Sequence, residues 1–196
     1  MSVVEAETAG DALLRASRRV DWRFLLPDPE LGQVVCLGRC DEDLVDSLRL
    51  FSRSVAILGA GAPSGAAAYD CAVLQSPRGE DLATLSSVLR PGGYAYLEVA
   101  RGGAASARAC ARALERSGFE DVRTHWHWPS FRSCAEIAPL DEPAAIRLAL
   151  SRRRSGLDSR LKALAGRALL AAGALPHVVP CSSVVARRPE EPGDRA

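Results

Sequence analysis

The run His125-Trp126-His127-Trp128 sets two imidazoles two residues apart. On an extended strand both rings share one face and both indoles the other. Such a pair can ligate a metal or act as a general base, because neutral imidazole is abundant near neutral pH. No carboxylate partner is identifiable from the sequence, so a half-buried strand that uses His and Trp for packing competes with that chemistry. A second group surrounds the apolar run Cys71–Leu74, with Asp70 before it and Gln75, Ser76 and Arg78 after it. Ligands of open α/β sheets sit outside the carboxyl ends of the strands. Asp70 is expected to reach that crevice, against the alternatives of a helix cap or a loop carboxylate. Glu98 at the end of Tyr94–Val99 is a further candidate or a solvated strand end, and His177 reads as a loop residue.

Gly59-x-Gly61 with Gly65 looks like a dinucleotide loop following the strand Val55–Leu58. That fingerprint needs a helix whose first amides meet a pyrophosphate. Only Ala66, Ala67 and Ala68 separate Gly65 from Tyr69-Asp70, too few for one. These glycines therefore read as a link between two strands. The six cysteines show no paired CxxC spacing, and Cys36 and Cys40 lack companion ligands, so no metal site is assigned.

The elements that must position these groups alternate. A helical extension covers residues 1–19, and the domain runs over 20–189. Val34–Leu37 is a strand, "DEDLVDSLRLF" a helix with Asp41 as N-cap, and Val55–Leu58 and Cys71–Leu74 are strands. "EDLATLSSVLRPGG" reads as a helix stopped by Pro91-Gly92-Gly93, followed by the strand Tyr94–Val99. A helix with Ala107, Cys110, Ala111 and Leu114 inward closes at Gly118. Val122–Trp128 and Val178–Ala186 complete the strands. Between them an insertion of about 130–176 holds helices near 143–152 and 159–172. The second of these has Leu161, Leu164, Ala165, Ala168, Leu169 and Ala172 as its apolar stripe, expected to cover the sheet edge. Residues 190–196 read as a disordered tail. The alternation predicts an α/β fold with a mainly parallel sheet.

"YDCAVLQSPRGEDLATLSSVLRPGGYAYLEV" resembles the class I S-adenosylmethionine-dependent methyltransferases, which place an aspartate-bearing strand, a helix, a Leu-Arg-Pro-Gly-Gly turn and another strand in this order. "SGFEDVRTHW" and "SSVVARRP" are similar to the closing strand pair of that family. The resemblance implies an abbreviated, doubly wound Rossmann-like sheet with a helical insertion before its last, antiparallel strand. It also implies S-adenosylmethionine as cofactor and a cofactor site at Gly38, Cys40, Glu42 and Asp70. Of the three family glycines only Gly38 is present; Cys40 and Glu42 stand at the other two positions, and Cys36 at the acidic one. The ribose-binding acid after the second strand is replaced by Leu58-Gly59-Ala60, and the following helix and strand are shortened into "GAGAPSGAAA". Gln75, Trp126 and Trp128 are the substrate-side candidates, and Asp70, His125 and His127 the catalytic ones.

The chain has 196 residues, 47% apolar and 25% charged, with a net charge of +1. That balance gives no reason to expect a nucleic-acid or anionic-membrane partner. No apolar run is long enough for a membrane helix and no leader pattern is visible, so a cytoplasmic location is expected. Lys162 is the only lysine, and the abundance of arginine and alanine suggests a GC-rich bacterial genome. The expectation is a methyltransferase-like pseudoenzyme with no cofactor, serving as a binding or scaffolding partner in small-molecule metabolism, with a protein partner or homo-oligomer and a small-molecule ligand both open. A divergent small-molecule methyltransferase, in which the insertion, Trp126 and Trp128 form a substrate lid, is the alternative. Reuse of the crevice for another ligand is a third.

Overall fold

A computed structural model describes residues 9–59, 67–100, 106–152 and 157–190; the side chains of 9, 157–163, 176 and 177 are not described. Apolar strand runs and amphipathic helices alternate as follows: α1 (Ala9–Arg19), a 3-10 turn (Asp21–Leu25), β1 (Gln33–Leu37), α2 (Glu42–Phe51), β2 (Ser54–Leu58), β3 (Tyr69–Gln75), α3 (Gly79–Val88), β4 (Leu89–Ala100), α4 (Ala107–Arg116), β5 (Glu120–Trp128), β6 (Glu136–Pro139), α5 (Pro143–Arg152), α6 (Leu157–Ala171), α7 (Leu175–Val178) and β7 (Cys181–Arg187).

The strands form one sheet in the order β2-β1-β3-β4-β7-β5-β6. β2, β1, β3 and β4 run parallel, whereas β7 lies antiparallel between β4 and β5, and β6 antiparallel outside β5. β1 and β3 are buried on both faces, which explains their unbroken apolar runs. One face is covered by α3 and α4, whose Leu85, Val88, Cys110 and Leu114 meet Val35, Leu37, Leu74, Leu97 and Val184. The other is covered by α2 and the segment after α1, where Leu44, Leu48, Val20 and Trp22 meet Val34, Cys36, Val73 and Tyr96. Trp22 lies flat on Tyr96, with ring centroids 3.9 Å apart and planes 6° apart.

Three local expectations change. Pro91-Gly92-Gly93 does not end a helix; α3 stops at Val88, and the three residues lie inside β4. Gly92, at φ +76°, donates to Arg188 C=O at 3.0 Å, and Arg188 N–H returns to Gly93 C=O at 2.8 Å, so this stretch is held by the chain beyond β7. The insertion contains an additional strand, β6, which the sequence reading missed because only four residues carry it. In α6 only part of the expected stripe turns inward: Leu169 packs against the cluster of Ile146 and Leu150, whereas Leu164 is 65% exposed, and Ala165, Ala168 and, just beyond the helix, Ala172 are exposed. Gly166 packs there too, with the Leu150 side chain of α5 so close that a Cβ would sit 2.9 Å from it. The side chain of Leu161 lies outside the described residues, as do the tail 191–196 and residues 60–66 of the "GAGAPSGAAA" link.

Trp22 anchors the segment after α1 by its stack on Tyr96. Trp22→Ala is expected to cost about 3–5 kcal/mol, read as a lower urea midpoint at unchanged slope.

Candidate functional site

The carboxyl ends of β1, β2 and β3 open onto a cleft of about 1020 Å³ lined by Gly38, Arg39, Cys40, Asp41, Glu42, Gly59, Gln75, Ser76, Arg78, Glu80 and Asp81. The chain leaves β1 toward β2 on one side and enters β3 on the other, so the cleft sits where the strand order reverses. Gly38 takes φ +72° at the end of β1, with its N–H bonded to Leu58 C=O at 2.9 Å. Asp41 then caps α2, its carboxylate accepting from Leu44 N–H at 2.8 Å. The short polar side chain before an amphipathic run starts the helix here, as expected.

Behind one wall of the cleft, at Asp41 and Gln75, lies a buried ionic network. Arg19, at the end of α1, donates from both terminal guanidinium nitrogens to Glu98 of β4, at 2.5 and 2.9 Å. The two side chains are 4% and 3% exposed. Gln75 Nε2 donates to Glu98 Oε2 at 2.8 Å and to Asp41 Oδ2 at 3.0 Å, while Gln75 Oε1 accepts from Asp41 N–H at 2.6 Å. Arg19 also lies 3.7 Å from Asp41. Burial opposes the Arg19 charge, but the Glu98 carboxylate outweighs it, and the guanidinium pKa is raised. For Asp41, partial burial is outweighed by Gln75, the Leu44 amide, Arg19 and Arg132, which hold its carboxyl below the usual range. Arg132, in the loop after β5, reaches Asp43 at 3.2 Å and Asp41 at 3.7 Å across the cleft mouth; at 66% exposure this tie is weak.

Of the residues singled out from sequence, the cleft gathers Gly38, Cys40, Glu42, Gln75, Ser76 and Arg78. Cys40 is half-buried, its thiol 4.0 Å from Val73 C=O, with its pKa raised by the hydrogen bond to Cys36 and by burial. Asp70 is elsewhere. It is the second residue of β3, hence at the amino end of the strand and not, as expected, at the carboxyl end. There it accepts from Gln33 N–H at 2.5 Å and pairs with Arg90 at 2.6 Å, tying the starts of β1, β3 and β4 together.

His125 and His127 share a face as expected, but that face is interior. His127 Nε2 lies 2.8 Å from Ser183 Oγ, its Nδ1 is 3.6 Å from Cys134 Sγ, and Tyr96 and Phe131 pack around the ring. Burial pushes His125 down to about 4 and His127 to about 3. Burial likewise pushes the Cys134 thiol up, so this cysteine and histidine meet as neutral groups. Trp126 and Trp128 point to the opposite face and pack under the insertion with Leu140, Ile146, Leu150, Leu175 and Val179, not over the cleft as a lid. Among the described residues no group of three His, Cys, Asp or Glu could hold a metal, and no helix is long and apolar enough to cross a membrane. The side chain of His177 lies outside the described residues.

Sequence reading missed Arg19 as a site residue. The signal was Glu98 itself, a carboxylate inside the apolar run of β4, which has to find a cation when buried.

No protein-family profile matches the chain. No curated protein matches it either. Among solved structures it is similar to Haemonchus contortus phosphoethanolamine N-methyltransferase 2 in complex with phosphomonomethylethanolamine and S-adenosylhomocysteine, with 8% identity, a TM-score of 0.48, and coverage of 93% of this chain and 53% of that one. The chain thus spans about half the length of that enzyme. It is also similar to an S-adenosylmethionine-dependent methyltransferase from Archaeoglobus fulgidus, with 11% identity, a TM-score of 0.47, and coverage of 89% and 94%. The [4+2]-cyclase SpnF matches with 15% identity, a TM-score of 0.44, and coverage of 95% and 85%. The described fold is a mixed α/β sheet of seven strands covered by helices on both faces. Its strand order carries the antiparallel closing pair that the sequence resemblance implied, and β3 follows β2 with no intervening element among the described residues.

Two outcomes follow from this geometry. Glu98→Gln strands a buried guanidinium and is expected to cost about 3–5 kcal/mol, whereas Arg19→Met with Glu98→Leu recovers most of that loss; denaturant unfolding of the parent and the two variants reads both. Both histidines have folded values below the unfolded 6.5, so their contribution is complete above that pH and is lost as pH falls toward about 4 and about 3. Stability should drop on acidification by at most about 1.4 kcal/mol per pH unit for each ring. His127→Gln flattens the profile; an unchanged slope would contradict the burial assignment.

Proposed function

We propose that this chain is a methyltransferase-like protein whose cofactor crevice has become a structural network, and that it acts as a non-catalytic binding partner in small-molecule metabolism. The Arg19–Glu98 pair carries the reading. The pair lies behind the lining residues Gln75 and Asp41 and holds them in hydrogen bonds, so the polar groups an incoming cofactor would meet at this wall are already engaged. The loop amide of Asp41, which could meet a ligand carboxylate, already donates to Gln75. Cys40 and Glu42 line the cleft at positions where the resembled family has glycines, with the Cys40 thiol turned back toward Val73 C=O. At the end of β2, Leu58-Gly59 offers no carboxylate to a ribose. S-adenosylmethionine therefore fits these residues poorly: without that acceptor it forgoes charged hydrogen bonds worth about 1.5–3 kcal/mol each. Asp70, the remaining cofactor candidate, serves the amino edge of the sheet.

A divergent small-molecule methyltransferase is the second reading, favoured by one observation: the cleft retains about 1020 Å³ at the strand reversal, with Gly38 on its floor. That volume is within the range of small-molecule sites.

Isothermal titration of the full chain with S-adenosylmethionine and S-adenosylhomocysteine separates the two. No heat at high protein concentration is the expected result; micromolar affinity for either compound would overturn the structural-network reading and restore the enzyme.

A further inference from the structure

Among the described residues β2 has one strand neighbour, β1, and its outer edge is unpaired. The bonds from Ser54 N–H to Gly32 C=O (3.5 Å) and from Gly38 N–H to Leu58 C=O (2.9 Å) set its parity. Alternate residues of a strand turn their backbone groups to the same side, so Ser54, Ala56 and Leu58 face β1, while Val55 and Ile57 present N–H and C=O outward. Soluble proteins guard such edges with Lys, Pro or bulges. Ser54-Val55-Ala56-Ile57-Leu58 has none of these, and Ile57 is 55% exposed.

We propose that this edge pairs with a second copy of the chain, antiparallel about a twofold axis at Ala56. In that register Val55 stands opposite Ile57 of the second copy and the reverse, and each such pair exchanges two hydrogen bonds through the outward groups. The interface is isologous and closed. The edge is self-complementary about Ala56, which argues for a copy of the same chain: β-branched Val55 meets β-branched Ile57 on both sides of the axis, and the first flanking charge, Arg53, falls opposite Gly59, so no like charges meet. Val55 and Ile57 lie on the sheet face of their β1 neighbours Val34 and Cys36, the face that α2 covers. Leu50 of α2, the helix packed against β2, is 59% exposed. A five-residue strand pair alone buries less than the roughly 1,200–2,000 Å² of a stable interface. The dimer is therefore concentration-dependent. It does not depend on whether the crevice binds a cofactor.

Sedimentation equilibrium of the full chain from micromolar to high micromolar concentration tests this. The mass should rise from one chain toward two and stop there. Ile57→Lys, which charges the edge, and Ile57→Pro, which deletes an outward N–H without touching the bonds to β1, should both remain single chains with unchanged far-UV circular dichroism. Leu164→Lys, on exposed α6, should dimerise like the parent. Should either Ile57 variant fail to fold, Ala56→Cys replaces it: oxidised glutathione should link two copies through the new thiol more readily than it links the parent. A single chain at every concentration, a dimer that survives Ile57→Lys, growth beyond two chains, or no gain in linkage with Ala56→Cys would overturn the proposal.

Discussion

A carboxylate in the middle of a buried strand end is the constraint on which the crevice depends. Glu98 lies at 3% exposure in β4, where an unpaired charge would cost several kcal/mol. The chain answers with Arg19, and the answer fixes the path of the whole amino-terminal segment. A bidentate guanidinium pair tolerates little displacement, so the end of α1 must lie against the carboxyl end of β4. Val20 and Trp22 are thereby delivered to the face where Trp22 meets Tyr96. Gln75 and Asp41 join from β3 and from the α2 cap, so one ion pair links four elements around the crevice. Removing either partner alone would leave a charge without compensation, whereas the geometry around it is also held by apolar packing. The network thus specifies arrangement more than it adds net stability.

The fold was legible where the chain obeys a single period. β1, β3 and the amphipathic stripes of α2 and α4 follow directly from unbroken apolar runs and from Asp41 as a cap, and local chemistry decides them. The errors lie where tertiary contacts overrule local signals. Pro91-Gly92-Gly93 looks like a helix stop, but its backbone is bonded to the segment following β7, which no local reading can supply. In α6 a glycine joins Leu169 and Leu170 at the contact with α5, because the Leu150 side chain occupies the volume a larger residue would need.

The candidate site was legible in its location and less so in its members. Gly38, Cys40, Glu42 and Gln75 follow from strand ends alone and do gather. Asp70 was assigned to the wrong end of β3, since a strand start and a strand end are both marked by a polar residue beside an apolar run. The imidazoles of β5 share a face, as period two requires, yet whether that face is wet depends on Phe131, Cys134 and Ser183, residues from the following loop and the last strand. A histidine pair is chemically capable only where water or substrate can bring it a proton. Held near 3 and 4 by burial, these rings are neutral packing groups at ordinary pH.

The shortened connection after β2 links these observations. β3 follows β2 with no described element between them, so among the described residues β2 ends the sheet. The resembled family has further sheet at this place and an acid at the end of the second strand. A single economy in sequence thus alters two physical properties: it withdraws a hydroxyl-binding carboxylate from the crevice, and it leaves an uncharged strand with outward-facing amides and carbonyls at the sheet margin. Unpaired backbone groups beside exposed apolar side chains favour association, because pairing satisfies the former and shelters the latter. The same shortening therefore weakens the case for a bound nucleoside and strengthens the case for a bound protein. It moves the most informative surface of this fold from the carboxyl ends of its strands to their edge.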